Sequence, residues 1–215
     1  DVGQGLAVVV RTTRYTLVFD LGPGYASGFN TAETVVIPFL ESRGVRRVDR
    51  LVISHDDVDH AGATDRFVAG IPVGDILSGQ PKAVGEGALA CRSGMQWNRD
   101  GVRFEVLHPR GGEQVGNDND ASCVLRIAHA TGAILLTGDI TRRVERLLTD
   151  GIRLPPADYV VVPHHGSRTS SSAELVNAVR ARYALVSAGY NNRYGFPDAE
   201  VSDRWQRSGA TVLST

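Results

Sequence analysis

Four side chains able to ligate a divalent cation, His55, Asp57, Asp59 and His60, fall within the run Ser54-His55-Asp56-Asp57-Val58-Asp59-His60. A spacing of i, i+2, i+4 and i+5 is too wide for one helical face. A loop curling over the end of a strand can bring such groups to one place, and Arg50–Ser54 reads as that strand. Asp59 and His60 are adjacent and should diverge slightly, which suits two neighbouring ions better than one. Gly62 follows and lets the backbone turn sharply. Taken singly, each residue reads better as a loop polar group or a helix cap; the cluster reads as a metal site.

The same arrangement recurs twice. The apolar run Ala133–Thr137 ends in Gly138-Asp139, and Tyr159–Val162 ends in Pro163-His164-His165-Gly166-Ser167. Strand ends are where sites assemble in α/β sheets. Together the three segments make a carboxylate-rich centre for two divalent cations. Its hardness makes Mn²⁺ as fitting as Zn²⁺. Two ions roughly 3.5–4 Å apart activate a water and steady the leaving oxygen of an in-line displacement. The reaction so predicted is hydrolysis of a phosphodiester, with no Ser or Cys nucleophile. In the loop 166–172, the hydroxyls of Ser167 and Ser170, the Arg168 guanidinium and free backbone N–H groups are candidate phosphate contacts. The alternative is that these serines cap the next helix. Asn119, Asn192 and Tyr194 are further candidate substrate contacts, with an ordered turn the competing reading of the Asn191–Tyr194 segment.

The elements that must position these groups are legible in outline. Leu6–Val10 and Tyr15–Phe19 read as a hairpin, and Thr31–Ser42 as a helix stopped by Gly44 despite the interior Pro38. Ala61–Ala69 reads as a short helix, and the Gly-rich stretch 78–100 is left unassigned. Val102–Leu107, Ser122–Ala128 and Ala133–Thr137 read as strands. Thr141–Thr149 is a helix closing at Gly151, Tyr159–Val162 a strand, and Ala173–Arg182 a helix capped by serines. Tyr183–Ser187, Asp198–Ser208 and Thr211–Leu213 complete the chain as strand, helix and strand. Strands lead the first half, and strand and helix alternate in the second. The expected architecture is an α/β sandwich with two sheets inside and helices outside.

The chain has 215 residues and a formal net charge of −1, which excludes a polybasic nucleic-acid binder of the histone type but not a nuclease with one basic groove. Lys82 is the only lysine, so almost all positive charge is arginine, the better bidentate partner for phosphate. No apolar run has the ~18–20 residues of a transmembrane helix. No repeat or linker breaks the sequence, so 1–215 reads as one domain. Its start at Asp1, directly before a strand-like run, gives the expectation of a domain cut from a longer protein. Cys91 and Cys123 lack zinc spacing and read first as two buried thiols, with one disulfide as the alternative.

His-x-Asp-x-Asp-His at 55–60, Thr-Gly-Asp at 137–139 and Pro-His-His-Gly-Ser at 163–167 resemble the motifs of the metallo-β-lactamase superfamily, with Asp57 in place of a usual histidine. That variant, with Asp1-Val-Gly-Gln-Gly5, Asn119-Asp-Ala-Ser122 and Asn191-Asn-Arg-Tyr-Gly-Phe-Pro197, is similar to the C-terminal domain of ComEC-type DNA-uptake channel proteins. The resemblance spans essentially the whole chain. It implies the αββα four-layer sandwich, two mixed sheets flanked by helices. It also implies two divalent metal ions, Mn²⁺ or Zn²⁺. His55 and Asp57 match ligands of the first, Asp59 and His60 of the second, and Asp139 the bridging carboxylate. His165 is favoured over His164 as the last ligand, leaving His164 to hold or donate a proton. Asp20 matches a supporting residue that is not a ligand. Asp59, Asp139 and His164 are thus the expected catalytic residues.

Two departures stand out. The superfamily's middle histidine, expected near residues 118–122, is replaced by Asp118-Asn119-Asp120-Ala121-Ser122, and Phe196 stands where the family often has histidine. His108 and His129 sit in strand-like runs and read as structural. The resemblance implies a nuclease of natural transformation that degrades the DNA strand not taken up. The expected partners are DNA, particularly single-stranded, the transmembrane channel of the same polypeptide and other uptake machinery. The parent would be an inner-membrane protein with this domain in the periplasm. A non-catalytic DNA-binding or gating module, and a hydrolase of another phosphoester such as a phosphocholine ester, are the alternatives.

Overall fold

Thr16–Phe19 (β2) is buried at every position, Leu17 and Phe19 on one face and Val18 on the other. A strand covered on both sides reads as a continuous apolar run and belongs inside a layered fold. The computed structural model describes residues 1–111, 116–150 and 154–215. β2 pairs antiparallel with Val8–Arg11 (β1) and parallel with Val48–Ile53 (β3). Val73–Ser78 (β4) and the short Leu89–Ala90 (β5) extend the sheet in parallel. The second sheet runs β12-β11-β10-β9-β8-β7-β6. Its antiparallel part comprises Gln96–Arg99 (β6), Val102–His108 (β7), Val124–His129 (β8) and Gly132–Leu136 (β9). Tyr159–Val161 (β10), Tyr183–Val186 (β11) and Thr211–Ser214 (β12) continue from β9 in parallel.

Both sheets are therefore mixed, and they face each other across Leu17, Phe19, Val52, Phe104, Leu125 and Leu136. Ile37–Ser42 (α1) and Thr64–Gly70 (α3) cover the outer face of the first sheet through Leu40 and Phe67. Arg142–Thr149 (α5), Ala173–Val179 (α6) and Ala199–Arg207 (α7) cover the second through Val144, Leu175, Val179 and Trp205. This is the expected αββα sandwich. Each of the last three helices has a side-chain N-cap, from Thr141, Ser172 and Asp198 respectively. The closure of α5 at Gly151 lies outside the described residues.

Three expectations are corrected. The helix over Thr31–Ser42 begins as a wide π turn, Ala32–Val36, before α1 takes over with Pro38 in its first turn, where the missing N–H costs nothing. The helix over Ala61–Ala69 is two pieces, Val58–Ala61 (α2) and α3, so Asp59 and His60 ride on a helical turn rather than a loop. The stretch 78–100 holds Pro81–Val84 (α4), β5 and β6.

The cysteines are paired, not free: Cys91 and Cys123 form a disulfide with Cα atoms 5.9 Å apart, closing a separation of 32 residues. This joins the end of β5 to the start of β8 and so couples the two sheets. Chain-entropy arguments put a bridge of this span at about 3–4 kcal/mol. Urea unfolding with and without reductant should differ by that amount; superimposable curves would show that the bridge adds nothing.

Candidate metal centre

Asp20 is fully buried at the end of β2, in a left-handed conformation (φ 55°). Its carboxylate accepts from the Ser54 N–H at 2.6 Å, the Ser54 hydroxyl at 2.7 Å and His60 Nδ1 at 2.8 Å. A carboxylate only accepts, so His60 carries its proton on Nδ1 and points the Nε2 lone pair at the centre. The Ser54 hydroxyl has already given its hydrogen to Asp20, so it accepts from His55 Nδ1 at 2.9 Å. His55 thereby turns its own Nε2 inward as well. His165 completes the set, because its Nδ1 donates to the Ser187 carbonyl at 2.6 Å. Each of the three imidazoles thus presents an unprotonated Nε2 in its neutral form, the tautomer a cation requires.

These nitrogens converge on Asp139. Asp139 Oδ1 lies 3.1 Å from His60 Nε2, and Oδ2 lies 3.4 Å from His165 Nε2. Asp59 approaches His165 Nε2 at 3.3 Å, and the Nε2 atoms of His60 and His165 are 3.1 Å apart. Ligand atoms of His55, His60 and Asp139 lie within 4.8 Å of one another, as do those of Asp59, His60 and His165. His55 Nε2 is buried with no hydrogen-bond partner, although Asp57 Oδ2 stands 3.2 Å away. A buried nitrogen without a hydrogen-bond partner beside carboxylates is an environment that suits a cation ligand, so the residues present fit divalent metal.

The backbone explains why these side chains can meet. Gly138 has φ 57°, and a Cβ there would lie 2.8 Å from the Ser54 Cβ and 2.9 Å from the Ser122 Cβ, so no side chain fits at that position. The Asp139 N–H donates to Ser122 Oγ at 3.1 Å, which fixes the carboxylate. His164 and His165 are both left-handed, with φ of 52° and 54°. Two such non-glycine residues in a row cost about 1–3 kcal/mol each, a cost that tends to cluster at functional sites. The His164 N–H donates to the Gly138 carbonyl at 3.2 Å and ties the two loops together. On the opposite flank the N-terminal segment threads past the ligands: the Leu6 N–H donates to the Asp59 carbonyl at 3.1 Å, and a Cβ at Gly5 would come within 2.4 Å of that oxygen.

His164 stands apart from the cluster. Its Nε2 is 3.9 Å from Asp139 Oδ2, its Nδ1 is 3.1 Å from Thr169 Oγ1, and burial lowers its pKa. At the position of the missing middle histidine, Asp118 comes beside Asp56 and Asp57. Gln80 spans the gap, accepting from the Asp56 N–H and donating to Asp118 Oδ1. Sequence reasoning passed over Gln80, Ser54, Ser122 and the Ser187 carbonyl. Ser54 could have been found because it directly precedes the motif, whereas the Ser187 contribution is backbone and has no side-chain signal.

Among the candidate substrate contacts, Ser170 is fully buried and donates to the carbonyls of Pro163 and Ser167. Ser167 is buried with its hydroxyl on Thr169. Asn192 is occupied within its own loop, donating to the Gly189 and Phe196 carbonyls and accepting from the Tyr194 and Phe196 N–H groups. Arg168 is exposed but held by Asp198 at 3.0 Å. Asn119 is half-buried on a one-turn 3₁₀ segment, and Tyr194 is half-exposed. His108 is buried against the Asp120 carbonyl, and His129 is exposed beside Thr131.

The electrostatics follow from crowding. Desolvation pulls the His165 pKa down, but Asp139 and Asp59 outweigh it and hold the imidazole at about 9. Desolvation likewise opposes charge on His60, which Asp139 and Asp20 nevertheless keep well above the ordinary range. Burial pushes Asp139 up, and the two imidazoles more than reverse this. In metal-free protein, then, the carboxylates favour protonated imidazole at this centre. Because the folded pKa of His165 is raised from 6.5 to about 9, its contribution to stability is complete below pH 6.5 and disappears as pH climbs through about 9. In chelator, the melting temperature should fall across that window. Affinity for Mn²⁺ or Zn²⁺ should rise over the same window, because the imidazolium must first release its proton. A melting temperature that climbs from pH 6.5 to 9 would contradict the assignment.

Comparison with known proteins agrees with this geometry. The chain is 42% identical over its full length to competence protein ComA of Neisseria gonorrhoeae, of which it covers 30%. It is 32% identical over its full length to recombination protein 2 of Haemophilus influenzae, of which it covers 27%. The chain thus spans less than a third of the length of these relatives. Among solved structures, the metallo-beta-lactamase fold protein YhfI of Bacillus subtilis superposes with a TM-score of 0.61 over 99% of this chain and 88% of its own, at 12% identity. The family model described as the metallo-beta-lactamase superfamily matches residues 1–190. Fold and family match agree: the chain belongs to the metallo-β-lactamase superfamily.

Proposed function

We propose that this chain is a metal-dependent phosphodiesterase that cuts single-stranded DNA, one domain of a longer DNA-uptake protein. The convergence of His55, His60 and His165 on Asp139, all three in the ligating tautomer, is the observation that carries this reading. His55, Asp57 and Asp139 would hold one divalent ion, with Asp118 beside them; Asp59, His60, Asp139 and His165 would hold the other. Bound there, such ions supply Lewis-acid activation of water and of the phosphodiester. Three carboxylates among the ligands favour Mn²⁺ alongside Zn²⁺. His164, a neutral imidazole because of its burial, holds or passes a proton at Nε2 on the open side of Asp139.

The similarity to competence protein ComA supports a place in DNA uptake; the partners we propose are the channel of the parent polypeptide and other uptake components, and the compartment we propose is the periplasm. No helix among the described residues is long and apolar enough to cross a membrane. The test is incubation of metal-stripped protein with single-stranded DNA, followed by addition of Mn²⁺, Zn²⁺ or Mg²⁺. Cleavage should require added metal and vanish in Asp59→Ala. Equal degradation by wild type and variant would assign the activity to a contaminant. The missing middle histidine favours a second reading, a DNA-binding or gating module without catalysis; tight DNA binding with no cleavage in any metal would select it.

A further inference from the structure

A band of aromatic rings leads outward from the metal centre. Phe196 stacks at 6.4 Å and 19° on the His165 ring and packs edge-on to His164 at 6.0 Å. Tyr194 stacks on Phe196 at 5.4 Å and 15°, and the Arg193 guanidinium lies 4.8 Å over Tyr194. Across from them, on the loop that follows Asp20, Tyr25 and Phe29 form a second stacked pair at 6.2 Å and 23°. Both loops flank the same N-terminal stretch: Pro23 packs against Gly5, and the Gly189 N–H donates to Gln4 Oε1 at 3.2 Å. The backbone bonds Tyr25 N–H to Phe29 O and Gly28 N–H to Tyr25 O fix this second loop as a tight turn presenting both rings.

These rings are not core residues that happen to show an edge. Tyr25 is 53% exposed, Phe29 50% and Tyr194 52%. Arg193 is an exposed cation with no carboxylate partner among the described residues, whereas Arg168 nearby in the sequence of the site is bound to Asp198. Exposed aromatic faces with an unneutralised guanidinium among them suit a ligand that alternates flat apolar surfaces with negative charge.

We propose that Tyr25, Phe29, Arg193 and Tyr194 form a stacking ledge for unpaired nucleobases, which positions a single strand so that its backbone crosses the metal centre. The inference rests on the proposed phosphodiesterase reading and deepens it, because it selects single strands over duplex DNA and over small phosphoesters. Bases in a duplex are stacked on one another and offer the rings no face; a small ester is too short to reach them. Stacking also tolerates any base, so the ledge confers preference for strand state without preference for sequence.

The test is binding of a fluorescein-labelled oligothymidylate, and of an abasic oligomer of equal length, to the 215-residue chain in EDTA, where cleavage cannot intervene. Tyr25→Ala, Phe29→Ala and Tyr194→Ala should each weaken oligothymidylate binding by about 5- to 100-fold. Tyr25→Phe should bind as wild type does, because it keeps the ring. The abasic strand should bind weakly and equally to all of them. Alanine variants that bind oligothymidylate like wild type, abasic binding as tight as oligothymidylate binding, or no oligothymidylate binding by wild type would each overturn the ledge. The two readings fail separately. Ring-dependent binding without cleavage in Mn²⁺ or Zn²⁺ removes the phosphodiesterase and keeps the ledge, whereas metal-dependent cleavage unaffected by the ring substitutions does the reverse.

Discussion

Asp139→Ala should reduce metal-dependent cleavage of single-stranded DNA by on the order of a thousandfold or more, equivalent to about 4 kcal/mol of transition-state stabilisation. The reason is geometric. Among the described residues, Asp139 is the one carboxylate with an oxygen on each side of the cluster, Oδ1 at 3.1 Å from His60 and Oδ2 at 3.4 Å from His165. Without it, no anion remains between two imidazoles whose Nε2 atoms lie 3.1 Å apart. Both then lose the largest charge that holds their pKa up, although Asp20 and Asp59 remain, so the metal-free variant should lose less stability than wild type between pH 6.5 and 9. Bound metal per chain, measured by elemental analysis after dialysis, should drop together with the rate. A variant that retains full metal content and wild-type turnover would remove Asp139 from the centre.

Asp20→Ala should act on the same centre without removing a ligand. The side chain is completely buried, and three donors depend on it: the Ser54 N–H, the Ser54 hydroxyl and His60 Nδ1. Leaving these unsatisfied should cost about 3–5 kcal/mol of folding stability. The effect on metal is subtler. With Asp20 gone, the Ser54 hydroxyl is free to donate to His55 Nδ1, and His60 is free to carry its proton on Nε2. Both changes present the wrong tautomer to the cation. Such supporting contacts typically change metal affinity by about 10–100-fold. Asp20→Asn keeps the shape and separates the two effects: stoichiometry should be preserved while the dissociation constant rises. Urea unfolding and metal titration of both variants check this, and unchanged affinity in Asp20→Asn would confine Asp20 to folding.

Much of the fold was readable because its strands are short apolar runs punctuated by Gly and Asp, as in Ala133–Thr137 before Gly138-Asp139. β4 was missed because Gly74 and Asp75 interrupt its apolar pattern, yet Arg50 on the neighbouring strand pairs with that very Asp75 at 2.7 Å. The break between α2 and α3 was invisible because it depends on close contact between Gly24 and Gly62, where a Cβ on Gly24 would lie 2.0 Å from the Gly62 carbonyl. At the site, residue type and spacing indicated the ligating segments but not the tautomers, which are set by Asp20, Ser54 and a backbone carbonyl drawn from three separate stretches of chain. The Cys91–Cys123 bond was equally beyond reach, since nothing local says that β5 ends beside the start of β8. Serines 167 and 170 look alike on paper to groups that greet a ligand; only packing shows them turned into their own loop.

The candidate ligands come from both halves of the sandwich: His55, Asp59 and His60 follow β3 of one sheet, while Asp139 and His165 follow β9 and β10 of the other. A cation seated among them would work as a rivet through the seam, adding to the apolar contact, the disulfide and the hydrogen bonds, such as Cys123 N–H to the Ser54 carbonyl and Gln80 to Asp118, that already join the two layers. Its loss leaves each layer intact and lets the joint gape, so chelation should be felt first as faster hydrogen exchange along that seam, well before either sheet melts.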